Sequence, residues 1–165
     1  MQTVTVPDDA LYRLKKGLDK LESKLNVKVR VTDNRVEIEG DPVKEYFAKD
    51  VVRALILGFK PNDAMKLTEE GYTLKVIDLK KLGFSESAIR RQLGRVIGEH
   101  GKAKLMIEKK GDVRLSISGH TVAIIGLYDD VEIVAEAIQR LITGSPHKNV
   151  YRFIDEAEIH KSLVE

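Results

Sequence analysis

Apolar positions along the chain repeat with two periods, two and 3.6 residues, and the switches between them mark out the elements. Val4 and Val6 alternate with Thr3 and Thr5, which predicts a short strand. Pro7-Asp8-Asp9 turns the chain and can cap a helix; Leu11, Leu14, Leu18, Leu21 and Leu25 then mark one helix face. Val27, Val29 and Val31 alternate with polar residues, Asp33-Asn34 turns, and Val36 and Ile38 alternate with Glu37 and Glu39. This predicts a hairpin with one apolar face. Asp41 caps the next helix, with Pro42 at its first position, Val43, Phe47, Val51, Ala54 and Leu55 on its inner face, and Gly58 at its end. The order is β-α-β-β-α.

Lys60-Pro61-Asn62 breaks the chain, and Asn62 to Glu70 reads as a short linking helix. The pattern then returns. Tyr72, Leu74 and Val76 predict a strand, Lys80 to Gly83 a connection, and Ser85 a cap. Ile89, Leu93, Val96 and Ile97 line one helix, Gly98 and Gly101 interrupt it, and Ala103, Met106 and Ile107 line another. Val113, Leu115 and Ile117 alternate, Gly119-His120 turns, and Val122 to Leu127 returns. Asp129-Asp130 caps a helix with Val131, Val134, Ala135, Ile138, Leu141 and Ile142 inside, and Gly144-Ser145-Pro146 stops it. The order is now β-α-α-β-β-α.

The two halves are therefore an internal repeat of architecture with one difference. Val6 to Val27 spans 21 residues and Asp78 to Val113 spans 35, so the second copy has 14 extra residues, room for an added helix and the glycine turn. The first copy has only Gly17 there, in mid-helix. The expected fold class is α+β, with residues 1–60 and 72–165 as domains and 61–71 as linker. Residues 146–165 form a tail in which Val150, Tyr151, Phe153 and Ile154 pack, followed by a short helix over Asp155 to Leu163.

Charge changes this picture locally. The chain is only +2 overall, but residues 90–114 hold eight basic side chains against three acidic ones. Residues 1–70 hold thirteen of each. A charge run is ordinarily a solvated face; its coincidence with the glycine turn favours a binding face for a polyanion. There is no cysteine, which excludes disulfides and thiolate chemistry. No apolar run is long enough to span a membrane and no signal peptide is evident, so a cytoplasmic protein is expected. The charge-rich, cysteine-free composition fits a thermophile. His120, His147 and His160 lack ligand spacing, so neither metal nor cofactor is expected, and no catalytic constellation marks an enzyme.

Gly98-x-x-Gly101 between two helices admits several readings. A nucleotide-hydrolase phosphate loop ending at Gly101-Lys102 would need glycine at Val96 and a hydroxyl at Ala103, so it is rejected. A plain helix–turn–helix corner is the bland alternative. The third is the loop with which KH domains clamp a nucleic-acid backbone. Its backbone N–H groups and helix N-terminus favour an anion.

The run Arg90 to Lys104 (RRQLGRVIGEHGKAK), with Gly144-Ser145-Pro146 and Val150-Tyr151, resembles the KH-domain ribosome-assembly proteins of archaea and eukaryotes, partners of the Nob endonuclease. The resemblance implies two tandem type I KH-like domains, the first without its loop. It also implies binding of single-stranded small-subunit rRNA near its 3′ end, contact with the endonuclease, and in archaea contact with an initiation factor two alpha subunit. A general RNA-binding regulator or chaperone, and a protein-docking scaffold, are the alternatives. The RNA-binding residues expected are Arg91, Arg95, Ile97, Gly98, Glu99, His100, Gly101, Lys102, Lys104, Lys109, Lys110 and Arg114. Lys109-Lys110-Gly111-Asp112 would close the groove opposite the loop. Ile97 reads equally as groove floor or core, and His100 as contact or exposed loop. KH loops usually carry a basic residue between the glycines; here Glu99 should repel phosphate, so Arg91, Arg95, Lys102, Lys104 and backbone N–H groups must supply the attraction. An exposed loop should also accept carboxylates at both glycines without loss of stability.

Overall fold

The leucine repeat of the first half becomes α1, Leu11–Leu25, with Leu14, Leu18 and Leu21 buried. The computed structural model describes residues 1–164, one short of the expected end of the tail, and the chain divides into two units between Tyr72 and Thr73. In the first unit β1 (Gln2–Thr5), β2 (Lys28–Thr32) and β3 (Arg35–Glu39) form an antiparallel sheet of order β1-β3-β2. Val36 of the central strand lies opposite both Val4 and Val31. α1 and α2 (Pro42–Ile56) pack together. The contact is close at Gly17, where a Cβ would stand 2.6 Å from the Leu55 side chain.

Several expectations change here. Pro7-Asp8-Asp9 supplies no side-chain cap; Asp8–Ala10 is a 3-10 turn in which the Ala10 N–H donates to the Pro7 carbonyl. Val31 is exposed because β2 is an edge strand. Asp41 does cap α2, its carboxylate accepting from the Val43 N–H, but Val43 itself is exposed in that first turn. Ala48 and Val52 join Val51, Ala54 and Leu55 in the core. The segment expected as a linker is folded: α3 (Pro61–Ala64) and a 3-10 turn (Met65–Thr68) bury Ala64, Met65 and Leu67. α3 is tied to α1 by a Lys20–Asn62 hydrogen bond of 2.6 Å. Its apolar residues, too few for a periodic pattern, complete the first unit.

The second unit has the β-α-α-β-β-α order, with β4 (Tyr72–Asp78), α4 (Glu86–Ile97), α5 (Lys102–Gly111), β5 (Arg114–Ser118), β6 (Thr121–Leu127) and α6 (Tyr128–Ile142). The sheet order is β4-β6-β5. Ile89, Leu93 and Val96 of α4, Ile107 of α5 and the whole predicted stripe of α6 meet Leu115, Val122 and Ile124 of the sheet in one core. β4 presents Ile77 and then Leu79 to this core, not Leu74 and Val76, which are half-buried. Ser85 caps α4 through the Ala88 N–H. Asp129-Asp130 caps nothing by its side chains. Asp130 is instead buried and ion-paired to Lys161.

Lys161 belongs to α7, His147–Val164, a single helix where a packed stretch and a separate short helix were expected. Val150 and Ile154, four apart, are its buried face, with Tyr151 and Phe153 packed beside them. Among the described residues no helix is long and apolar enough to cross a membrane.

Candidate nucleic-acid interface

α4 ends because Gly98 leaves helical space, at φ +75° and ψ 174°. The chain then turns so tightly that a Cβ on Gly98 would stand 2.7 Å from the Ala103 nitrogen and 2.5 Å from its Cβ. Gly101 also has φ +75°, but a Cβ there would meet nothing. The two glycines thus differ: Gly98 is required by backbone approach as well as by its dihedral, Gly101 by its dihedral alone. The expectation that both accept a carboxylate without loss of stability is overturned at Gly98 by close approach, and at Gly101, where the space is open, φ +75° still strains any side chain. Between them His100 sits at φ 55°, and its imidazole lies 3.7 Å from the Glu99 carboxylate, both side chains being at least four-fifths exposed. After Gly101, Lys102 opens α5, whose first N–H groups have no partner within the helix.

Beside the turn runs a groove of about 770 Å³. Its α4 wall is the stripe Glu86, Arg90, Gly94 and Ile97, spaced i, i+4, i+8, i+11, next to Ile89 and Leu93 at the edge of the core. Ile97 is 39% exposed and lines this wall, which makes it groove rather than core. Gly94 is helical, and a Cβ on it would touch nothing, so no internal contact calls for a glycine there. Its bare backbone lowers the wall and lets a flat group approach. The opposite wall is the β5–β6 hairpin, Ile117 to His120, and the end is closed by Lys80 and Phe84 of the β4–α4 connection.

That connection is pinned by Asp78. One carboxylate oxygen accepts the N–H groups of Lys80 and Lys81 at 3.0 and 3.2 Å, and the other lies 3.4 Å from the His120 imidazole. Burial pushes this carboxyl up, but the Lys81 N–H, the His120 ring and the Lys80 N–H together hold it below the ordinary carboxylate range.

Arg95 does not face the groove. Its guanidinium donates to the carbonyl of Leu141 and, at 2.7 Å, to that of Ser145. The His147 ring donates back to the Arg95 carbonyl at 2.8 Å. These bonds tie α4 to the last turn of α6, where the Leu141 carbonyl also accepts the Gly144 N–H, and to Ser145 beyond it, joining the Gly144-Ser145-Pro146 corner to the helix that carries the glycine turn. Arg95 is a staple, and the expected phosphate contact gives way.

Lys110 is likewise engaged, 2.7 Å from Asp155 of α7. The residues Lys109 to Asp112 form the C-terminus of α5 and its left-handed exit, not a hairpin facing the loop. That correction removes Lys109 and Lys110 from the groove. Arg114 opens β5 opposite Ile125, and neither it nor the half-buried Lys104 lines the groove. Arg91 is exposed about 100° round α4 from Arg90. Of the predicted cations, Lys102 at the turn, Arg91 on α4 and Lys109 at the far end of α5 remain exposed and without ion-pair partners among the described residues. Lys80, Arg90, Gly94 and His120 were missed. The stripe through Glu86, Arg90, Gly94 and Ile97 could have found two of them, since it flanks the core stripe at helical spacing.

An α-α turn of this kind over an apolar groove with a basic rim defines a nucleic-acid-binding class, and comparison with known proteins agrees. Residues 73–159 match the model of the second KH domain of PNO1, a eukaryotic-type KH domain of type I. The KH domain-containing protein MJ0443 of Methanocaldococcus jannaschii is 38% identical, over 94% of this chain and 73% of that one. The pre-rRNA-processing protein pno1 of Aspergillus fumigatus is 32% identical over 80% of this chain, which spans about half of it (54%). The solved a/eIF2alpha–aDim2p–rRNA complex from Pyrococcus horikoshii contains a chain of the same fold, with a TM-score of 0.85 and 34% identity over 94% of this chain and 92% of that one. The chain belongs to the PNO1 family of KH-domain proteins.

Proposed function

We propose that the chain binds single-stranded RNA in the groove between α4 and the β5–β6 hairpin, in the processing of small-subunit rRNA. The observation that carries this is the juxtaposition of the Gly98–Gly101 turn with an apolar groove rimmed by Lys80 and Arg90. The turn offers backbone N–H groups and a helix N-terminus to a phosphate. The groove offers Ile97, Ile117 and the bare Gly94 to base faces. Single strands fit it because unstacked bases can lie against such a wall. The relative named as a pre-rRNA-processing protein and the neighbour solved in an rRNA complex support the same reading.

The finer assignment is the 3′ end of the small-subunit rRNA, in the cytoplasm. The first unit, which has charge balance and no glycine turn, docks a protein rather than RNA. A Nob-type endonuclease and an initiation factor two alpha subunit are the partners proposed, the second supported by the composition of the neighbouring complex. The test is titration of the full chain with an rRNA 3′-end oligonucleotide and, separately, with each partner. Gly101→Asp, which meets no steric obstacle, should abolish RNA binding and leave partner binding intact. RNA affinity unchanged in this variant would overturn the clamp.

A further inference from the structure

The His120–Asp78 pair has a place in the groove that the hairpin's own fold does not require. The hairpin is joined to β4 through the His120 carbonyl, which accepts the Leu79 N–H at 2.9 Å. The imidazole takes no part in that bond. It is 46% exposed, lines the groove, and stands 3.4 Å from a carboxylate. We propose that His120 is a titratable cation contact of the groove, oriented by Asp78, and that it strengthens the grip on single-stranded RNA as the ring becomes protonated. The proposal rests on the RNA reading above.

The charges around the ring set the sign. From β4 it faces Asp78, on which Lys81 also acts; from the β4–α4 connection, Lys80; across the groove on α4, Glu86 and Arg90. Around the ring, Lys80 and Arg90 balance Asp78 and Glu86, and an imidazolium tips the site positive. Asp78, held below the ordinary range, stays ionised throughout the interval in which an imidazole titrates. With the ring neutral, the Asp78 charge is uncompensated by it and opposes a phosphate; with the ring protonated, the pair is neutral and the ring can donate.

The measurement is the affinity of the full chain for an rRNA 3′-end oligonucleotide at pH 6 and pH 8, across a salt series. It is repeated in a His100→Asn background so that the loop imidazole does not contribute. Affinity should be about threefold tighter at pH 6, the size of one exposed charge contact. The salt slope should be steeper there by about 0.7, one phosphate on a single strand. In His120→Gln both differences should vanish. Asp78→Asn keeps the acceptor for Lys80 and Lys81, and should bind more tightly than wild type at pH 8, with its pH dependence moved downward. A purely structural Asp78 would give weaker binding at both pH values, and that result overturns the proposal. So does a flat wild-type profile, or a profile that survives in His120→Gln. Absence of RNA binding at every pH would instead overturn the reading of the groove itself.

Discussion

Glycine inside a helical stretch means opposite things in the two units. Gly17 sits in the middle of the unbroken α1 and lets Leu55 of α2 approach; its neighbours are apolar and its role is packing. Gly98 ends α4, and what approaches it is the backbone of the next helix. The first unit turns its extra closeness inward, onto its core. The second uses it to fold the chain back at the surface, and the backbone this bares belongs to no core. The difference teaches that the sheet-and-two-helix frame is indifferent to the clamp. The glycine turn is an insertion within one helical segment, and the frame is completed without it in the first unit.

The largest effect that could break this comparison is on stability. Gly98→Ala forces a Cβ into the Ala103 backbone at a left-handed dihedral, and should cost about 3 kcal/mol. Gly17→Ala should cost less, about 1 kcal/mol, because gained helix propensity offsets crowding against a side chain that can move. Urea denaturation of both variants measures this, and equal losses would show that the two glycines are alike.

Next come the arginines of α4. Arg95→Ala leaves the Ser145 carbonyl without its donor and should lose about 1–2 kcal/mol with the RNA salt slope unchanged. Arg90→Ala should change stability by less than about 0.5 kcal/mol and lower the slope by about 0.7. A smaller effect of unusual sign is expected at Gly94. Alanine there should stabilise α4 by about 0.5–1 kcal/mol while weakening RNA binding, because a methyl group rises into the groove. Melting curves and titrations on one sample separate the two.

The smallest effect concerns Glu158 on α7. Burial pushes its carboxyl up, and Asp130 pushes it further, against Lys161. The folded state therefore holds this proton more tightly than the unfolded one. Its stabilising contribution is full below the ordinary glutamate range and is lost as pH rises through the raised value. Glu158→Gln should remove that slope and raise stability near neutrality by a few tenths of a kcal/mol at most, read as melting temperature against pH.

Periodicity made most of the frame legible. The α6 stripe and Leu14, Leu18 and Leu21 of α1 are buried as their spacing requires, while Leu11 and Leu25 at the helix ends are half-buried, because a helix face wide enough to read in sequence must be covered. The glycine turn was legible too, since two glycines three apart between amphipathic runs admit few geometries. What escaped was decided by partners distant in sequence. Nothing local distinguishes Arg95, bonded to residues 46 and 50 positions away, from Arg90, which lines the groove. Lys110 looked like part of a basic rim until α7 brought Asp155 against it. Of the far wall, Ile117 and Ser118 sit on the alternating strand, whereas Gly119 and His120 escaped because they belong to the turn beyond it. The burial of α3 and its 3-10 turn escaped because three apolar side chains among polar ones have no period.

The Arg95 staple has a consequence for the order in which the protein is made. α4, the glycine turn and α5 are complete once Gly111 has been synthesised, yet the carbonyls that hold Arg95 belong to Leu141 and Ser145, and the ring that holds its own carbonyl to His147. A ribosome adds residues one at a time from the N-terminus, so for more than thirty residues of synthesis the glycine turn exists without its anchor. The first unit can fold behind it throughout that interval. The glycine turn is thus left without its anchor until α7 begins to be delivered.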